Sequence, residues 1–134
     1  MIEGCPLTGH TVFMSNAEAN IITSPGYPQT NYSDNTLCDW TFQAPPGQKI
    51  SFTLLELDSE FGYDVIKLYD GPGGEEEKEP ILATMSGTKI HDAVISSKEQ
   101  MKVTFTADGS KNGKGFKASV SAFNKEGEKL LGTI

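Results

Sequence analysis

The strongest constraint on this chain is the way proline and glycine cut it into short alternating runs. Fourteen Gly and seven Pro are spread over 134 residues. Between them, apolar side chains recur at every second position. Cys38, Trp40 and Phe42 alternate with Asp39, Thr41 and Gln43, the two-residue period of a half-buried strand with the cysteine on the tryptophan side. Ile50, Phe52 and Leu54 alternate likewise, and Phe116, Ala118, Val120 and Ala122 share one face. The separators are turn signals: Ser24-Pro25-Gly26-Tyr27-Pro28, Ala44-Pro45-Pro46-Gly47 and Asp70-Gly71-Pro72-Gly73-Gly74. Proline removes a backbone donor and restricts its predecessor, so none of these fits a helix or a central strand. No segment sustains a 3.6-residue period. Strands about ten residues apart with turns between them predict an all-β antiparallel sandwich.

Further strands are expected at residues 11–14, 20–23, 65–69, 81–85, 93–96, 100–106 and 115–123. After Leu54, Leu55 and Leu57 shift the apolar parity, which predicts a bulge or a strand buried on both faces. The length suits a single domain with one core. We place that domain at 1–124 and a charged, flexible tail at 125–134. Met1-Ile2-Glu3-Gly4 reads as a start placed on an excised domain, so a missing signal peptide says little about origin. No run approaches a membrane span.

A net charge of −7 and a pI near 4.7 argue against nucleic acid, whose binders cluster Lys and Arg to displace counterions. The same balance suits metal cations, basic partners or simple solubility. Catalysis finds no support: His10 lies in the entry segment and His91 in an expected turn, neither beside a nucleophile. Paired carboxylates could in principle run glycoside hydrolysis, but a small sandwich with short loops offers no obvious deep cleft.

Cys5 and Cys38 show neither CxxC nor Cys/His zinc spacing. A disulfide is one reading, worth roughly 3–4 kcal/mol for a loop of this size; two buried thiols are the other. Asn31-Tyr32-Ser33 is a glycosylation sequon and points outside the cell.

The stretch LELDSEFGYDVIKLYDG, residues 55–71, departs from a generic β pattern. Glu56 and Asp64 stand eight residues apart around a short polar-aromatic loop. Such a loop can bring both carboxylates to one end of a sheet, where two close anions require a cation, a shared proton or water between them.

These features together resemble a CUB domain. The resemblance rests on Cys5, Ile22-Thr23-Ser24-Pro25-Gly26-Tyr27-Pro28, Tyr32, Cys38-Asp39-Trp40, Ala44-Pro45-Pro46-Gly47, Tyr63-Asp64 and Tyr69-Asp70-Gly71. It continues through Ser86-Gly87, Ile95-Ser96-Ser97, Val103 to Asp108 and Gly115-Phe116-Lys117-Ala118. It implies a jelly-roll-like sandwich of two antiparallel sheets, an extracellular setting and a first family disulfide at Cys5–Cys38. The second family disulfide would fall on Phe61 and Ser86, neither of which is cysteine. Phe61 is expected to compensate in part by packing, and a longer interval between Cys5 and Cys38 enlarges the loop near residues 15–19.

The resemblance also implies a Ca²⁺ site with Glu56, Asp64, Asp108 and Ser110 as ligands and Tyr32 orienting one carboxylate. Hard oxygens from several loops suit Ca²⁺ and suit Mg²⁺ poorly. Lys111 stands where the family has an amide; it either points to solvent or places its ammonium among the carboxylates. Three functions follow. The first is a Ca²⁺-dependent protein-binding module that engages a Lys or Arg of its partner. The second is a metal-free carbohydrate binder stacking sugar on Tyr27, Tyr32 or Tyr63. The third is a self-associating structural module that uses its sheet edges or the 111–114 loop.

Overall fold

A computed structural model describes residues 11–15, 19–71, 81–88, 93–109 and 112–124. Among these, every regular element is a strand: β1 (Thr11–Phe13), β2 (Ala19–Thr23), β3 (Leu37–Gln43), β4 (Gln48–Asp58), β5 (Val65–Tyr69), β6 (Ile81–Met85), β7 (Val94–Ile95), β8 (Gln100–Thr106) and β9 (Gly115–Asn124). They form a five-stranded sheet ordered β1-β3-β8-β5-β6 and a four-stranded sheet ordered β2-β9-β4-β7. The expected sandwich is therefore present. One pairing departs from antiparallel: β1 runs parallel to β3, with Thr11 opposite Thr41. The expected strands at 11–14 and 93–96 are shorter than read, ending at Phe13 and spanning only Val94–Ile95.

The core lies between the two sheets, where the alternating residues meet. Phe42, Met101, Val103, Phe105, Ile66 and Leu68 of one sheet are fully buried, as are Ile50, Phe52, Phe116 and Val120 of the other. Each contributes about 1.5–3 kcal/mol by leaving water. Aromatic edges lock the sheets together: Trp40 meets Phe116 at 5.9 Å between ring centroids and Phe105 meets Phe116 at 5.2 Å. Cys38 is buried on the Trp40 face; its expected partner, Cys5, lies outside the described residues.

The parity shift in β4 is a bulge. The β4–β9 register slips between Leu54 and Glu56, leaving Leu55 42% exposed while Leu54 and Leu57 stay inside. The extra residue lets an eleven-residue strand keep its apolar face inward to its end.

Register also decides which loops meet. Asp58 at the end of β4 pairs with Gly115 at the start of β9. Val65 at the start of β5 and Leu37 at the start of β3 both pair with Thr106, the last residue of β8. The loops β2–β3, β4–β5 and β8–β9 thus emerge at one rim of the sandwich.

Candidate metal centre

Close backbone approach holds that rim together. A side chain at Gly113 would place its Cβ 2.4 Å from the Asp58 carbonyl oxygen, so only glycine lets the β8–β9 loop lie against the β4–β5 loop. The Lys114 N–H donates to Asp58 Oδ2 at 3.1 Å, and the Tyr32 N–H donates to the Gly113 carbonyl at 3.3 Å. Three chain segments distant in sequence are thereby fixed to one another.

Within the β4–β5 loop a single turn folds the chain back. The Asp64 N–H donates to the Glu60 carbonyl at 3.0 Å, and Gly62 takes a φ of 83° between them. Ser59 braces the base, donating its hydroxyl to the Asp64 carbonyl at 2.8 Å and accepting from the Gly87 N–H at 3.1 Å. The turn sets Glu60 and Asp64 on the same side, four residues apart. Asp108, arriving from the end of β8, completes a group in which one carboxylate oxygen from each residue lies within 4.8 Å of the others.

Asp64 is the centre of this group and is fully buried. Its Oδ1 accepts the Asp108 N–H at 3.0 Å, and its Oδ2 accepts the Tyr32 hydroxyl. Tyr32 is itself buried, edge-on to Phe105 at 5.1 Å, and receives the Glu60 N–H on its hydroxyl oxygen at 3.4 Å. Burial, and then the bond to Asp64, push the Tyr32 phenol well above its ordinary range. Tyr32 therefore remains a donor at any physiological pH, and Asp64 is held as the acceptor. Each Asp64 oxygen keeps a second lone pair for another partner.

The donor set fits Ca²⁺. Oxygens sharing one calcium lie at most about 5 Å apart, twice a Ca–O bond, and hard anionic ligands from separate loops are its usual cage. Glu60, Asp64 and Asp108 meet that spacing.

Glu56, the carboxylate expected here, is elsewhere. The β4 bulge turns it to the outer face of the four-stranded sheet, exposed and opposite Lys117, while Glu60 stands in the acidic group instead. The residue signal for Glu60 was its four-residue spacing from Asp64 around Gly62. Ser110 and Lys111 lie outside the described residues, as do His10 and His91. Phe61 does not pack as expected: it is 78% exposed, with one ring edge near Gly87. Ser86 makes the tie instead, accepting the Gly62 N–H at 3.0 Å, so the two positions of the missing disulfide still meet through a hydrogen bond. Tyr32 cannot stack on a sugar, since it is buried; Tyr63 is exposed. Asp70 of the Tyr69-Asp70-Gly71 motif serves the scaffold, accepting both the N–H and hydroxyl of Ser97.

A two-sheet sandwich with aromatic edges across its core and an acidic group at one rim defines an extracellular-type binding module. A CUB domain profile matches residues 10–120, and the chain belongs to the CUB family. Human Tolloid-like protein 1 is 34% identical over 110 residues, a match covering 79% of this chain and 10% of that protein. This chain thus spans about a tenth of that relative. The structure titled as the full extracellular region of zebrafish Gpr126/Adgrg6 matches with a TM-score of 0.67 and 28% identity, covering 86% of this chain and 15% of that one. The MASP-1 CUB2 domain bound to Ca²⁺ shares the fold, with a TM-score of 0.68 at 22% identity over 84% of this chain and 97% of that one. CUB domains are generally extracellular modules for protein–protein interaction and are typically non-catalytic. Among the described residues no helix is long and apolar enough to cross a membrane.

Proposed function

We propose that this domain is a secreted or ectodomain module that binds a protein partner in a Ca²⁺-dependent way, with no catalytic role. The observation that carries the reading is Asp64: a fully buried carboxylate, oriented by Tyr32 and the Asp108 N–H, with Glu60 and Asp108 oxygens within 4.8 Å. Three carboxylates this close repel one another unless a cation sits among them. Glu60, Asp64 and Asp108 would hold the ion, with Ser110 as a further ligand from the same loop as Asp108. Bound calcium supplies the neutralising charge that orders the rim. The Ca²⁺-bound CUB2 domain of MASP-1 lends the fold a precedent for the ion.

Carboxylate oxygens facing away from the metal would accept a charge-assisted hydrogen bond from a partner's Lys or Arg. The exposed sequon residue Asn31 and a Cys5–Cys38 bond fit an extracellular setting. The test is a surface titration with an immobilised lysine-bearing peptide. Binding is expected in millimolar calcium, lost in EDTA and lost when the lysine is acetylated. Equal binding to the acetylated peptide would refute engagement of a basic side chain.

A further inference from the structure

We propose that the outer face of the four-stranded sheet carries a second site, a metal-independent cleft for a carboxylated sugar. The cleft is about 410 Å³ and is lined by Thr23, Tyr27, Pro28, Glu56, Lys114 and Lys117. It continues into a space of about 250 Å³ floored by Leu57, Asp58 and Gly115. The larger volume lies within the range of small-ligand clefts, about 300–1,000 Å³.

Its polar groups are set by register. Lys117 pairs with Thr23 on one side and Glu56 on the other, so the three form one outward row across β2, β9 and β4. Opposite charges on directly paired strand residues ordinarily meet. Here no ion pair or hydrogen bond joins Glu56 to Lys117 among the described residues; both charges remain available to a third party. Lys114 adds a second ammonium, held 5.7 Å over the Tyr27 ring, while its backbone N–H is anchored to Asp58. Tyr27 in turn is seated against Gly115, where a Cβ would fall 1.8 Å from Ser24 Oγ and 3.6 Å from Tyr27 Cδ2. Its hydroxyl is shielded from solvent and has no hydrogen-bond partner.

This combination selects a ligand class. Two ammonium groups on one wall fit a single carboxylate. A free carboxylate such as Glu56 accepts hydroxyl donors and repels a second anion. An aromatic wall suits the apolar face of a pyranose ring. An acidic peptide supplies charge for the lysines but no hydroxyls for Glu56. A long polyanion is opposed by Glu56 and Asp58 within the cleft and by a net charge of −7 on the chain. One acidic pyranose satisfies all the walls at once, and none of them belongs to the Glu60–Asp64–Asp108 group.

The experiment is an amide-shift NMR titration of the whole chain in EDTA with three probes: sialyllactose, glucuronic acid and lactose. Millimolar saturable binding of at least one acidic probe is expected, with shifts at Thr23, Glu56 and Lys114–Lys117. Lactose should bind at least about tenfold more weakly. Lys117→Gln should weaken the acidic probe by about two- to fivefold, the fold-change an exposed ion pair carries, and Glu56→Gln should also weaken it. Asp64→Asn should leave it unchanged, which separates this site from the calcium reading. A preference between the two acidic probes assigns the source, terminal glycan or glycosaminoglycan. The proposal is overturned if neither acidic probe saturates, if lactose matches them, or if Lys117→Gln and Glu56→Gln both bind as the wild type does.

Discussion

Tyr32 and Asp64 lie thirty-two residues apart and meet in a hydrogen bond that neither exposes to solvent. A carboxylate out of water is costly unless it is hydrogen-bonded, and this phenol satisfies one of its oxygens. Tyr32→Phe keeps the ring against Phe105 and removes the donor. We predict a loss of about 1.5–3 kcal/mol in urea unfolding without metal, the value of a hydrogen bond to a charged group. The same pair gives a pH signature. The folded-state pKa of Tyr32 is raised above its ordinary 10.0, so above that pH the unfolded chain releases a proton that the folded chain keeps. Its contribution is whole below pH 10.0 and shrinks as pH rises further. Over the next pH unit the melting temperature of the wild type should fall more steeply than that of Tyr32→Phe.

Glu60 and Glu56 make opposite predictions. Glu60 stands in the acidic group and Glu56 on the outer sheet face. Glu60→Gln should remove most of the stabilisation by calcium, and Glu56→Gln should leave it within error. Calorimetric titration of both variants decides; the reverse pattern would restore Glu56 as the ligand.

Phe61 is expected to matter little for stability. At 78% exposure its truncation leaves no cavity, so Phe61→Ala should change unfolding free energy by no more than about 0.5 kcal/mol. Ser86→Ala removes the acceptor for the Gly62 N–H and should cost more than Phe61→Ala. Paired urea denaturation curves measure both.

How far the residues alone reveal this arrangement depends on the range of the interaction. Strand identity is local, because the two-residue alternation of Cys38–Trp40–Phe42 and of Phe116 to Ala122 is written in consecutive positions. The β4 bulge was readable for the same reason, from two leucines out of phase. The choice of Glu60 over Glu56 was not, because it depends on which way the chain leaves the bulge and folds back through Gly62. The exposure of Phe61 was equally hidden. Its surroundings come from Gly87, far along the chain, and a large apolar side chain gives no local sign that its site is open. The parallel β1–β3 pairing was also invisible, since a short alternating run does not encode its neighbour's direction.

The cysteines provide an independent check on compartment. If Cys5 is bonded to Cys38, the native unreduced protein should take up no alkylating reagent, and reduction should lower stability by roughly 3–4 kcal/mol. Two alkylatable thiols in intact-mass analysis of the native chain would remove the covalent tie.

The central claim is that Glu60, Asp64 and Asp108 hold calcium, and thermal unfolding against calcium concentration tests it most directly. A site occupied at a hundred times its dissociation constant adds about 2.7 kcal/mol, several degrees for a domain of this size. With a loop tied by Ser86 instead of a disulfide, a dissociation constant of about 10⁻⁴–10⁻³ M is expected, as in extracellular modules. The wild type should therefore gain several degrees in millimolar calcium, and Asp64→Asn should gain none. A wild type unmoved by calcium, or an Asp64→Asn variant that rises equally, would contradict the account.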